Sequence, residues 1–148
     1  MRLAPQETRT YHVTTATAQR RRFFQVTATA ELLQQTLFDY RDKGKYQLHA
    51  FVIMPDHLHL LITPAPTISL EKTIQFIKGG FSFRLKKTLD VWQRGFNETQ
   101  IATTEQFFEC VRYIEENPVL ERLAAQPADY AYSSAHAPVD PPPSHLRG

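Results

Sequence analysis

Tyr113 and Asn117 lie four residues apart in Phe107-Phe108-Glu109-Cys110-Val111-Arg112-Tyr113-Ile114-Glu115-Glu116-Asn117-Pro118. Upstream, His57 and His59 flank a leucine in Asp56-His57-Leu58-His59-Leu60-Leu61. These residues offer one nucleophilic hydroxyl and three uncharged metal ligands. Acting together, they could attack a phosphodiester through the phenol beside a divalent cation. A free tyrosine, with a pKa near ~10, is a poor nucleophile at neutral pH. A cation on the phosphate would neutralise its non-bridging oxygens and hold phosphorus in line with the hydroxyl. Uncharged ligands would leave the full charge on that ion. Mixed nitrogen and oxygen ligation suits Mg2+ or Mn2+, although imidazoles also tolerate Zn2+.

The elements that carry these groups follow from periodicity. In a strand alternate side chains share a face, so His57 and His59 point one way and Leu58 and Leu60 the other, into a core. In a helix, residues four apart lie one turn apart on one face, which pairs Tyr113 with Asn117. Phe107, Val111, Ile114 and Cys110 then form the side packed on a sheet. Taken singly, each motif has a plainer meaning. A His-x-His is more often two half-exposed rings on a solvated sheet face. A helical tyrosine is commonly a core-edge residue, and an asparagine before proline commonly ends a helix. The combination carries the signal.

The rest of the chain supplies a frame. Residues 10–17 and 46–54 read as strands, and 57–63 as a third that forms a hairpin with the second across Pro55-Asp56. Ala30 to Tyr40 has helical spacing, with Thr29 as a candidate cap and Gly44 as a stop. Ser69 is placed to cap a second helix whose stripe runs Leu70, Ile74, Ile77, Phe81, Leu85 and Leu89, weakened by Gly79-Gly80. A short extended piece surrounds Gln100-Ile101-Ala102. Thr104 can cap the next helix, which is expected to end near Asn117-Pro118, with a short helical piece over 119–125 after it. The order predicts an α+β fold, a ferredoxin-like split βαβ core. Its sheet is mostly antiparallel, with helices on one face and an added C-terminal helix carrying the tyrosine. Residues 1–135 form one domain. Three consecutive prolines in 136–148 predict a disordered, Pro-rich tail.

A chain of 148 residues can bury a core without staples, and its single cysteine excludes an internal disulfide or a cysteine zinc site. No apolar run is long enough for a membrane span or a signal peptide, so a cytoplasmic location is expected. Charge is uneven: residues 1–49 hold eight Lys or Arg against four acids, and 105–148 hold three against seven. A basic body of this kind suits contact with phosphate. Arg20, Arg21, Arg22, Lys78, Arg84, Lys86 and Lys87 are the candidate DNA-binding residues, and Phe23, Phe24, Phe81 and Phe83 are candidates for stacking on bases.

The chain resembles the REP-associated tyrosine transposases, relatives of the single-tyrosine HUH transposases of bacterial insertion sequences. The resemblance is carried by Tyr11-His12-Val13-Thr14, by Phe51-Val52-Ile53-Met54-Pro55-Asp56-His57-Leu58-His59-Leu60-Leu61, by Ile77-Lys78 and Trp92-Gln93-Arg94, by Tyr113-Ile114-Glu115-Glu116-Asn117-Pro118-Val119, and by Asp129-Tyr130 with Ser133-Ser134-Ala135. It implies that Tyr113 is the catalytic nucleophile and that His57, His59 and Asn117 are the metal ligands. It further implies cleavage of single-stranded or hairpin DNA, with a 5′-phosphate joined to Tyr113 and a free 3′-hydroxyl left behind. A homodimer or a monomer is compatible with it. Two positions depart from the pattern: Asp56 stands where asparagine is common, and Tyr132 where a tryptophan is. The alternative function is a catalytically silent, regulatory DNA-binding protein on the same fold.

Overall fold

A computed structural model describes residues 8–86 and 90–148. Its main elements run β1 (Thr10–Ala16), α1 (Thr27–Asp42), β2 (Tyr46–Met54), β3 (His57–Pro64), α2 (Leu70–Leu85), β4 (Asn97–Ile101) and α3 (Thr104–Leu120). The four strands form one antiparallel sheet in the order β2-β3-β1-β4. β3, the strand with the two histidines, is therefore flanked on both sides. Among the described residues no helix is long and apolar enough to cross a membrane.

Alternation along β3 divides the core in two. Leu58, Leu60 and Ile62 face α1 and α2, where they meet Leu33, Leu37, Ile74, Ile77 and Phe81. Leu61 faces the other way, toward Phe107, Cys110 and Ile114 of α3. The fold is thus α1 and α2 on one side of the sheet and the tyrosine helix on the other. A bulge between Leu48 and Ala50 keeps β2 in step with both layers. It adds one residue, so His49 and Ala50 both turn toward α3. His49 meets Phe107 edge-on, with ring centroids 5.2 Å apart, and its Nε2 lies 2.8 Å from Thr63 Oγ1.

Several boundaries differ from the sequence reading, each for a local reason. Helix α1 begins at Thr27, and Thr29 sits inside its first turn, where its hydroxyl donates to the carbonyls of Val26 and Phe23 rather than capping. Ser69 does cap α2, accepting from the Lys72 amide at 3.1 Å. That helix stops at Lys86, which takes the left-handed conformation, and Leu89 of the expected stripe lies outside the described residues. The α3 cap is Thr103, one residue before the expected one. Gln106 at the third helical position returns its side chain to the Thr103 amide, completing a capping box. Pro118 does not end α3. It falls within the last turn, and the helix closes two residues later as Glu121 donates to the Asn117 carbonyl.

Residues 136–148 contain no helix or strand, and part of the segment hydrogen-bonds to the sheet and to α3. The Asp140 amide donates to the Leu48 carbonyl at 2.8 Å, and the Leu48 amide donates to the Asp140 carboxylate at 2.7 Å. Further on, Arg147 bridges to Thr103 at the start of α3. Just upstream, Ile53 donates to Tyr132 and Ser134 to Phe51. The outer edge of β2 presents unpaired backbone groups, and this segment satisfies them without regular structure.

The two glycines of α2 make opposite predictions. A Cβ at Gly79 would meet nothing within 4 Å, so Gly79→Ala should stabilise the protein by about 0.5–1 kcal/mol through helix propensity. A Cβ at Gly80 would come within 2.6 Å of the Tyr40 ring, which itself stacks on Phe76. Gly80→Ala should therefore cost about 1–3 kcal/mol from overpacking. Urea midpoints of the two variants should move in opposite directions; a common shift would refute the packing account.

Candidate active site

The site is assembled on the α3 side of the sheet. The register sets His59 opposite Thr14 and His57 opposite Ala16 on β1, so the imidazoles share a face with His12 and Thr14. His59 Nδ1 lies 3.0 Å from His12 Nε2 and 3.2 Å from Thr14 Oγ1. The His57 and His59 rings are 5.0 Å apart between centroids. Both are buried, at 7% and 5% exposure, rather than half-exposed on a solvated face.

Helix α3 brings the phenol to them. The Tyr113 ring lies 5.7 Å from that of His59 and 5.8 Å from that of His12, edge-on to both, within a single chain. Tyr113 is 46% exposed, so the ring rests on the imidazoles while part of it stays open to solvent. Asn117, one turn on, belongs to the buried stripe of α3 together with Phe107, Cys110, Ile114 and Pro118. Its side-chain oxygen is buried and has no hydrogen-bond partner. A buried amide oxygen without a donor is costly, which makes the Asn117 oxygen a candidate ligand atom.

Burial keeps His59 and His12 neutral. Burial, followed by the neighbouring His57 and His12, lowers the His59 pKa to about 3. Burial also lowers that of His12. A neutral imidazole has a free lone pair for a cation, which is the protonation state a metal ligand needs. Asp56 feels opposed influences. Burial disfavours its charge, but the hydrogen bond from His57, with the charges of His57 and Arg20, leaves its carboxyl below the usual range. Among the described residues no group of three His, Cys, Asp or Glu is arranged to hold a metal. His57 and His59 are the paired imidazoles that could hold a cation, and the Asn117 amide oxygen is a further uncharged donor.

The candidate DNA contacts fare unequally. Lys78 is tied to the neighbouring backbone, donating to the carbonyls of Gln93 at 3.1 Å and Gly95 at 2.7 Å. Arg84 pairs with Asp39 at 2.7 Å and ties α2 to α1. Arg20 approaches Asp56 at 3.5 Å, beside the site. Arg21, Arg22 and Lys86 are exposed, and Lys87 lies outside the described residues. Of the aromatic candidates, Phe24 and Phe81 are core, Phe23 packs against it, and Phe83 is 82% exposed.

Sequence reasoning gave His12 no role, although it alternates with Thr10 and Thr14 on a predicted strand. Only the pairing of β1 with β3 brings it beside His59 and Tyr113.

The site is thus a pair of imidazoles on an open antiparallel sheet beneath a helix-borne phenol. The comparison with known proteins gives the class. Residues 6–117 match the family described as IS200-like transposase, and the chain belongs to that family of DNA-processing enzymes. It is 25% identical over 126 residues to a REP-associated tyrosine transposase of Escherichia coli K12, covering 84% of this chain and 76% of that one. The structure of a REP-associated tyrosine transposase bound to a REP hairpin superimposes with a TM-score of 0.77 at 22% identity, covering 92% of this chain and 82% of that one. A putative transposase from Deinococcus radiodurans R1 gives a TM-score of 0.56 at 23% identity, covering 78% of this chain and 97% of that one. These two likenesses bear on the fold.

Proposed function

We propose that this transposase is a metal-dependent, single-strand DNA endonuclease and strand transferase acting on hairpin-forming DNA in the cytoplasm. Tyr113 is the nucleophile, and His57, His59 and Asn117 are the ligands of Mg2+ or Mn2+. The observation that carries this reading is the Tyr113 ring resting 5.7 Å from that of His59 while the Asn117 oxygen lies buried without a partner one turn along the same helix. The similar REP-associated tyrosine transposase, whose structure holds a REP hairpin, supports the choice of DNA.

When bound, the cation supplies charge neutralisation on a non-bridging phosphate oxygen. The chain's own groups do the rest. The Tyr113 hydroxyl gives up its proton to solvent as its oxygen attacks phosphorus, the bond from phosphorus to the 3′-oxygen breaks, and that oxygen takes a proton from solvent to leave as a 3′-hydroxyl. The strand stays attached through a 5′-phosphotyrosine, so the bond is conserved and rejoining needs no external energy. Buried, neutral His59 presents a lone pair rather than a competing proton. The exposed edge of Tyr113 lets a strand approach its hydroxyl from solvent.

The test is direct. The protein incubated with single-stranded hairpin DNA and Mn2+ or Mg2+ should give a denaturant-resistant protein–DNA adduct, and EDTA should prevent it. Hairpin binding with no adduct under any divalent metal would instead establish the silent DNA-binding alternative.

A further inference from the structure

The carboxylate beside the first histidine faces that ring. The β2–β3 turn is gripped by the connection that follows β1: the Thr17 amide donates to the Asp56 carbonyl at 3.0 Å, the Thr17 hydroxyl reaches the same oxygen at 3.1 Å, and the Phe24 amide donates to the Pro55 carbonyl at 3.0 Å. With its backbone fixed, the Asp56 side chain turns to His57. Its Oδ1 accepts a hydrogen bond from His57 Nδ1 at 2.7 Å. Its Oδ2 lies 3.5 Å from Arg20 Nη1. Arg20 comes within reach because Gln19 and Arg20 both take left-handed backbone angles, φ 57° and 55°, which are unfavourable for side chains of this kind and need support from their surroundings.

We propose that Asp56 is a positioning residue for the metal site, and that Arg20 braces it. A carboxylate can only accept, so the proton of neutral His57 resides on Nδ1 and the lone pair on Nε2. The same hydrogen bond fixes the ring's rotation and makes Nε2 the more basic donor, the arrangement a ligating histidine requires. His59 has no carboxylate partner; its Nδ1 meets His12 and Thr14 instead. The two histidines are thus oriented by different devices. This inference rests on the metal-site reading of His57.

The experiment uses the full chain, first without metal. Long-range 1H–15N NMR at pH 8 should show wild-type His57 as the Nδ1–H tautomer. Asp56→Ala should give a mixture of tautomers with unchanged circular dichroism, and Asp56→Asn, whose amide oxygen accepts the same bond, should restore Nδ1–H. Calorimetric titration with Mn2+ should then show affinity about ten- to a hundredfold weaker in Asp56→Ala. The loss should be smaller in Asp56→Asn and less than about fivefold in Arg20→Gln, where an exposed pair is removed. An Asp56→Ala protein with wild-type tautomer and wild-type Mn2+ affinity overturns the proposal. Failure of the wild type to bind Mn2+ overturns the metal site itself, and with it the role of Asp56 there. The tautomer comparison still decides the Asp56–His57 pairing on its own.

Discussion

Replacing Tyr113 by phenylalanine is expected to abolish the covalent adduct and lower strand cleavage by about 10^3-fold or more, while hairpin-DNA affinity stays close to wild type. Removing a nucleophile takes away the reacting bond itself, and losses of that order follow even when the remaining groups are intact. The substitution leaves the ring, so its edge-on contacts with His12 and His59 persist. Thermal stability should therefore change little, which separates a chemical defect from a folding one. The measurement is single-turnover cleavage of labelled hairpin DNA, run beside a binding assay and a denaturing gel. An adduct that survives in Tyr113→Phe would remove Tyr113 from the mechanism and point to another nucleophile. His59→Ala makes the complementary case: it should weaken metal dependence and cleavage together while Tyr113 remains in place.

Acid should destabilise the metal-free protein steeply. His59 holds its pKa at about 3 because it is buried beside His57 and His12, and burial also lowers His12 and His49. An unfolded histidine titrates near ~6.5. Between that value and about 3 the unfolded chain binds a proton at His59 that the folded chain refuses. More protons bound in the unfolded state means that stability falls as pH falls. Each unit of difference is worth about 1.4 kcal/mol, so the loss across the window amounts to several kcal/mol, against a typical total of about 5–15 kcal/mol. Urea midpoints taken in EDTA from pH 7.5 to pH 4 should fall throughout. His59→Gln should flatten the slope by removing its largest single contributor. A pH-independent midpoint, or an unchanged slope in His59→Gln, would mean that His59 is protonated in the folded state or is more open to solvent than its position beneath α3 indicates.

Both expectations depend on features with different origins. Periods of two and of 3.6 residues are local properties, and they made the hairpin, the shared face of His57 and His59, and the helical pairing of Tyr113 with Asn117 legible before any coordinates. Caps and ends were less legible, because they turn on which of several adjacent hydroxyls finds a partner. Thr103 displaced Thr104 once Gln106 could reciprocate, and α3 runs two residues past Pro118.

The amino-acid order by itself therefore determined the kit: a phenol, two imidazoles and an amide, each on an element whose type and facing were fixed by neighbours in the chain. What only the tertiary structure decided was which of these groups came together. The strand order β2-β3-β1-β4 set His12 and Thr14 against His59, and the packing of α3 on the face opposite α1 and α2 laid Tyr113 over the imidazoles and buried the Asn117 oxygen. The same contacts tied Lys78 to backbone carbonyls and Arg84 to Asp39, and drew residues 132–140 along the edge of β2. Strand pairing and helix placement join residues tens of positions apart, through contacts that no local period encodes. They are chosen by burial of the whole apolar surface and satisfaction of every backbone group, a condition met only by the folded chain as a unit.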